Sequence, residues 1–475
     1  MSDAGARGAF SSSDAGMGGP SQGALSTAKR QGIPDAGPPD AEDGGACVGL
    51  DSSQAARLYL SADDSNSMAS PVIARSLVRG GQKVPPEIVR TYEFLNYYNV
   101  PFTQPAPGSL SLSLQARAQT SGDYELQIGV QSAPAASPRR AMNLVFVLDT
   151  SGSMGGAPIA LEQAAVRAIA SQVRAGDVVS VVTWNTAQGV PLEGHVASGP
   201  NDAALLDVVN GLTADGGTDL DGGLQKGYAL AQAAFDPGRI NRVILISDGM
   251  ANVGVTNEKL IGAKAEDQDK EAIYLVGIGV GDGVNDTLMN VVTDAGRGAY
   301  VYLDSADEAN AMLAGRFDEV MDIAARGVQV ELELPWYFQM KQFYGEEYSA
   351  DPKQVKPQHL APGDAMVFQQ IIHACTSQAA PGTDVVKATA RWTDPFDYSA
   401  KSVTLQRSFA ELATASSREL LRGRAIVKWA EALKLSGQEA KDALADVLAS
   451  ADGSDPAHAD PSLNEIRSLV PLVKP

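Results

Sequence analysis

At 475 residues with 44% hydrophobic content, the chain is too long for one ordinary core, and about two to four domains are expected. Its 37 Lys and Arg stand against 57 Asp and Glu, a formal net charge of −20 without a basic cluster, which argues against nucleic acid or an anionic membrane as partner. No stretch approaches the roughly 18 apolar residues of a membrane-spanning helix, so direct membrane insertion is excluded.

The first element in chain order is a tether. Residues 1–50 are rich in Gly, Ala, Ser, Asp and Pro and nearly empty of large apolar side chains, so they are expected to stay disordered. The opening SDAGARGAFSSSDAGMGG has neither a basic n-region nor an apolar h-region, hence no signal peptide as written. A tether makes most sense below an anchored or exported start, so an extracytoplasmic place in the cell envelope is the expectation. Cys47 and Cys375 are the two cysteines. Neither lies in a CxxC pair, which removes zinc and thioredoxin-like chemistry. A disulfide between them and two separate thiols both remain open.

Residues 51–107 show short helical periodicity, in PVIARSLVRG and PPEIVRTYEFLNYYNVPF, and read as an N-terminal helical segment. From 108 the period changes to two. SLSLSLQARA sets Leu110, Leu112, Leu114 and Ala116 on one face, and DYELQIGV does the same with Tyr124, Leu126, Ile128 and Val130. Residues 108–140 therefore read as the first part of a β-sandwich.

Between 141 and 325 strands and helices alternate. Apolar runs recur at Leu144–Leu148, Val178–Val182, Val243–Ile246 and Ile273–Val280, with helical stretches at 157–174, 202–212, 219–235, 256–268, 285–295 and 307–325. Leu220, Leu224, Tyr228, Ala231 and Phe235 keep helical spacing through the third of these. The alternation predicts an α/β fold, a doubly wound parallel sheet with helices on both faces. After 326 the period of two returns, in Val328, Val330, Leu332 and Leu334 and in Val386, Ala388, Ala390 and Trp392. Residues 326–412 are thus the second part of the same sandwich, into which the α/β unit is inserted, and 413–475 form a helical C-terminal module.

Ligands of a doubly wound sheet bind at the carboxyl edge of its strands. In NLVFVLDTSGSMGG, an apolar strand runs into Asp149, Ser151 and Ser153. Thr218 in DGGTDLDGG precedes a helix, and Asp248 ends the apolar run VILISDG. All five side chains offer oxygen and none offers nitrogen or sulfur, the donor set of a hard cation such as Mg²⁺ or Mn²⁺. With two carboxylates the ion keeps positive charge and seeks another carboxylate from outside.

The D-x-S-x-S of 149–153, the GGTDL around Thr218 and the SDG at 247–249 resemble the metal-ion-dependent adhesion site of von Willebrand factor type A domains. The resemblance spans 141 to about 325 and fills all five family positions. It implies that Asp149, Ser151, Ser153, Thr218 and Asp248 hold Mg²⁺ (or Mn²⁺) directly or through water, that a protein partner supplies an acidic side chain to the open position, and that the chain is not an enzyme. It further implies coupling of ligand binding to the last helix, near 307–325. The flanks are similar to those of a group of bacterial proteins that also carry a β-rich region and a helical C-terminal module.

Three other patterns in the chain compete with this reading. Asp63-x-Ser65-x-Ser67 repeats the first motif but follows no long buried strand, so a turn or cap is expected. GVGDGVND at 279–286 resembles the acid loop of haloacid-dehalogenase-type phosphatases. With Asp149 as nucleophile, Ser247 after the second strand, and Lys259, Lys264 or Lys270 neutralising phosphate, it defines the alternative function, an aspartyl-phosphate chemistry. That reading leaves GGTDL without a role. Serine catalysis lacks a motif: neither Ser151 nor Ser153 lies in G-x-S-x-G, and His195, His359, His373 and His458 have no motif context. His373, in MVFQQIIHA, reads as a strand histidine, and without GxxxxGK[ST] there is no P-loop.

Overall fold

Alternate residues of one strand face two different helical layers, and this organises the α/β unit. The computed structural model describes Cys47 and residues 50–63, 66–119, 122–250, 273–376, 384–414 and 417–474, all within the unit Pro38–Pro475. Most of the expected tether, and the whole helix expected at 256–268, lie outside the described residues.

The strands are β1 (Ala56–Ser61), β2 (Leu110–Ala118), β3 (Asp123–Ser132), β4 (Met142–Asp149), β5 (Val178–Trp184), β6 (Gln188–Val196), β7 (Ile240–Ser247) and β8 (Tyr274–Val280). They continue with β9 (Tyr300–Leu303), β10 (Ala325–Leu334), β11 (Phe338–Phe343), β12 (Glu347–Ser349), β13 (Gln358–Leu360), β14 (Ala365–Ala374), β15 (Val385–Thr393) and β16 (Ala400–Ser408). The central sheet has the order β6-β5-β4-β7-β8-β9. β4 is buried along its whole length. Its Leu144, Phe146 and Leu148 pack with Val166 and Ile169 of the helix Ala157–Ala170. Its Val145 and Val147 pack with Leu220, Leu224 and Tyr228 of the helix Leu220–Ala233. A strand covered on both faces must be apolar at every position, which is why the run is continuous. Gly227 lets the second helix lie close, since a Cβ there would stand 2.3 Å from Cγ2 of Val147.

The sheet is mixed rather than wholly parallel. β4, β5, β7, β8 and β9 are parallel, but β6 returns antiparallel to β5 at the edge. β6 is half exposed and contains Pro191, which an edge strand tolerates and a central one does not; its weak pattern hid it from the sequence reading. The segment expected as one helix over 307–325 is broken. It forms Ala306–Asn310, a π-turn Ala311–Gly315 and Phe317–Met321, with Gly315 ending the π-turn and β10 already under way at Ala325.

The two flanking parts do form one sandwich. One sheet runs β12-β1-β10-β15-β16 with β13 on β10, and the other runs β11-β14-β3-β2. Leu114, Leu126 and Ile128 from before the α/β unit share a core with Val330, Leu332, Phe368 and Trp392 from after it. Residues 51–107 are not helical throughout, because β1 opens them and pairs with both β10 and β12. With only Ala56, Leu58 and Leu60 on its inner face, β1 is too short to show a period. The C-terminal helices Arg418–Leu433, Gly437–Ser454 and Pro461–Leu469 do not stand apart as a module of their own. Ile426, Trp429, Val447 and Ile466 pack with Phe94, Leu95 and Tyr98 of the helix Thr91–Tyr98. A disulfide joins Cys47 to Cys375, 328 positions apart, so the two are partners and not separate thiols.

Candidate metal centre

Each of the five oxygen-bearing residues arrives at the carboxyl edge of the central sheet by a local device. Asp149 ends β4, and its Oδ1 accepts the Ser151 N–H at 2.9 Å, which turns the chain sharply after the strand. Thr150 anchors the turn, donating both its N–H (2.8 Å) and its hydroxyl (3.0 Å) to the Trp184 carbonyl at the end of β5. The hydroxyls of Ser151 and Ser153 lie 3.1 Å apart. Two backbone bonds then bring in the loop that carries Thr218. Asp215 N–H donates to Thr150 O (2.8 Å), and Gly152 N–H donates to Gly216 O (3.1 Å). Thr218 itself is buried.

Asp248 follows β7, the parallel neighbour of β4. Its carbonyl accepts the Asn285 N–H at 2.8 Å, and its Oδ1 accepts the Met250 N–H at 3.0 Å. Gly249 between them has φ +73, a conformation that favours glycine. Thus the sheet register and these loop bonds gather Asp149, Ser151, Ser153, Thr218 and Asp248 at one edge.

The electrostatics of this edge are those of buried negative charge. Burial, with the charge of Asp248 adding to it, pushes the Asp149 carboxyl up to about 6 against the hydrogen bonds from Ser151 and Ser247 that favour its ionised form. Glu162, on the helix Ala157–Ala170, is fully buried; no side chain among the described residues bonds its carboxylate oxygens, and the backbone of Asp149 is the polar group that reaches them. Burial pushes it well above the usual carboxylate range, and the charges of Asp149 and Asp248 add to that. Among the described residues, no cation is a main influence on Asp149 or on Glu162. A divalent cation fits such a place. The donors are all oxygen, as Mg²⁺ prefers, and a buried carboxylate without a side-chain partner among the described residues stands next to them. Among the described residues no three His, Cys, Asp or Glu side chains form a closed cage; the hydroxyls of Ser151, Ser153 and Thr218 make up the set.

Two contributors were missed from the sequence. Ser247 donates its hydroxyl to Oδ2 of Asp149 at 2.7 Å. Glu162 could have been found in LEQAAVRAI, where it keeps helical spacing with the buried Val166 and Ile169, an apolar face where a carboxylate does not belong without a reason.

The competing motifs have other roles. Asp63 is buried and accepts the Ser67 N–H and the Asn96 amide, each at 2.7 Å, a turn and not a ligand set. Asp286 is engaged by Arg90 through two bonds of 2.7 and 3.0 Å, and Asp282 is exposed. Nothing here supports the phosphatase alternative; Lys259, Lys264 and Lys270 lie outside the described residues. His373 sits on β14 with Nδ1 2.6 Å from Asp123. His195 meets Asp202 at 2.9 Å, and the Nδ1 of His359 accepts the Gly327 N–H at 3.0 Å.

Comparison with known proteins bears on the same region. Residues 143–314 match the model of the von Willebrand factor type A domain. The uncharacterized protein YfbK of Escherichia coli is 27% identical over 301 residues, covering 60% of this chain and 51% of that protein. Inter-alpha-trypsin inhibitor heavy chain H6 of Homo sapiens is 26% identical over 197 residues, 40% of this chain and 15% of that one. The chain thus spans about half the length of YfbK and much less of the inhibitor chain. A solved structure, von Willebrand factor type A from Catenulispora acidiphila, aligns with a TM-score of 0.49 at 13% identity, over 75% of this chain and 89% of that one.

Proposed function

We propose, from the premise that the chain carries a von Willebrand factor type A domain, that this domain is a divalent-metal-dependent protein-binding module and not an enzyme. Such domains generally mediate protein–protein interaction. In this reading Asp149, Ser151, Ser153, Thr218 and Asp248 hold Mg²⁺ or Mn²⁺ directly or through water. Bound there, the ion supplies a positive charge that accepts one acidic side chain of a protein partner. Ser247 and the loop bonds hold Asp149 in place, and the apolar layers beneath keep water from the back of the site.

The observation that carries this reading is the burial together of three carboxyl groups, Asp149, Asp248 and Glu162, with no cation among the described residues as a main influence on Asp149 or Glu162. Buried carboxylates without a partner are costly, and a bound cation relieves them. The disulfide favours an oxidising, extracytoplasmic place, and no described helix is long and apolar enough to cross a membrane.

The experiment is a pull-down with the full chain and its Asp149→Ala variant, each with Mg²⁺ and with EDTA, beside calorimetric titration of Mg²⁺. Loss of both Mg²⁺ binding and the captured partner in the variant is expected. Unchanged Mg²⁺ affinity in Asp149→Ala would refute the assignment.

A further inference from the structure

The opposite edge of the central sheet gathers arginines in place of acids. Arg140 precedes β4, Arg239 and Arg242 lie at the start of β7, and Arg326 is the second residue of β10. Together with Tyr274 and Asp322 they line a cleft of about 50 Å³ between the α/β unit and the sandwich. In a chain of net charge −20, this concentration of positive charge is local and built.

Two of the four are compensated. Arg140 meets Asp322 at 3.1 Å. Arg239 meets Asp236 at 3.5 Å and donates to the Gly176 carbonyl at 2.7 Å. The other two have no ion pair among the described residues. Arg242 is 4% exposed, and its Nη1 donates to the Asn241 carbonyl at 3.1 Å. Its guanidinium lies 5.0 Å from the Tyr274 ring centre, and that of Arg326 lies 5.6 Å from the same ring and 5.1 Å from Tyr398. The two unpaired cations therefore converge on one aromatic ring from two different strands.

Ring contacts do not replace a counter-charge for a buried guanidinium. The consequence is visible nearby. Burial, with Arg140 and Arg326 adding to it, outweighs the opposing charge of Asp322 and draws Arg242 down to about 10. His359, edge-on to Tyr274 at 5.0 Å, is held neutral by burial and by the charges of Arg297, Arg326 and Arg242.

We propose that this cleft binds one phosphate-sized oxyanion, with Arg242 and Arg326 as its charge partners. Neither arginine forms an ion pair among the described residues, and the Asp322 carboxylate whose charge reaches Arg242 is already engaged by Arg140, which leaves positive charge in the cleft for an oxyanion. Guanidinium groups present forked donors suited to phosphate oxygens. A cleft of about 50 Å³ suits one tetrahedral oxyanion. The site is independent of the metal centre, which lies at the other edge of the sheet.

The test is thermal melting of the full chain, titrated with inorganic phosphate against sodium chloride at matched ionic strength. A ligand of the folded state raises the melting temperature with its concentration. The wild type is expected to gain stability with phosphate and, likewise, with sulfate. Arg242→Met and Arg326→Gln are expected to lose that gain, with Arg242→Met melting no lower than wild type in chloride. Phosphoserine is titrated in parallel: binding tighter than inorganic phosphate assigns the anion to a phosphorylated side chain, and equal or weaker binding assigns it to the free ion. A wild type that responds to phosphate no more than to chloride would overturn the proposal. So would variants that respond as fully as the wild type, leaving the arginines as braces between the two layers.

Discussion

Ser247 donates its hydroxyl to Oδ2 of Asp149 at 2.7 Å, so the last residue of β7 holds the carboxylate that ends β4. The same carboxylate accepts the Ser151 N–H at its other oxygen. Both oxygens are thus oriented before any ligand arrives. Ser247→Ala should weaken Mg²⁺ binding about tenfold, since a hydrogen bond to a charged group contributes about 1.5 kcal/mol or more. The fold should persist, as one hydroxyl is lost at the end of a strand whose preceding residues Val243–Ile246 are apolar and buried. Calorimetric titration decides it: an unchanged dissociation constant would mean that Ser247 does not orient a ligand.

Glu162 gives a prediction with opposite signs in two conditions. Its oxygens are buried without a side-chain partner among the described residues and lie near Asp149 and Asp248. Glu162→Leu should therefore stabilise the metal-free protein, by about 1–3 kcal/mol. The same change should reduce the extra stability conferred by Mg²⁺, because less negative charge awaits neutralisation. Glu162→Gln, of the same shape, separates charge from packing. Melting each variant with Mg²⁺ and with EDTA tests both halves. If the metal-free variants melt lower and the Mg²⁺ gain is intact, Glu162 takes no part in the charge balance.

What was legible in the sequence follows from distance along the chain. Asp149, Ser151 and Ser153 fall within five positions at the end of a buried strand, and Thr218 and Asp248 stand at the ends of similar elements, so the carboxyl-edge rule sufficed to group them. Glu162 was hidden because its meaning depends on which face of its helix turns inward. The arginine cleft was beyond reach: Arg140, Arg239, Arg242 and Arg326 meet only through the strand order and the insertion of one unit into the other. β1, β6 and β9 were missed for a related reason, being short or half exposed, with too few inward residues to set a period. The pairing of Cys47 with Cys375 likewise needed the fold.

That disulfide should matter to stability. It links the segment ahead of β1 to the residue after β14, so reduction releases a long closed loop in the unfolded chain. Loss of such a bond typically costs about 2–4 kcal/mol. The wild type should melt lower in dithiothreitol, and a Cys47→Ser, Cys375→Ser variant should melt low with and without reductant. Equal melting of oxidised and reduced wild type would show that the bond leaves stability untouched.

Asp202 provides the pH dependence. It caps the helix Ala203–Asn210, its Oδ1 accepting the Ala204 N–H at 3.1 Å, while its Oδ2 accepts the N–H (2.9 Å) and hydroxyl (2.8 Å) of Ser198. Burial pushes this carboxyl up, but the bonds from Ser198, Leu205 and His195 outweigh it and bring it down to about 2. A carboxyl lower in the folded state than its ordinary 3.8 stabilises the fold above that value, and the contribution is lost as pH falls from about 4 toward 2. Asp202→Ala should therefore cost about 1–2 kcal/mol at neutral pH, the usual range for a lost N-cap. The gap between wild type and variant should hold from pH 7 to pH 5 and narrow below pH 4. Urea unfolding at pH 7, 5 and 3 measures it. A gap that stays constant down to pH 3, or is absent at pH 7, would show that the ionised carboxylate does not support this helix.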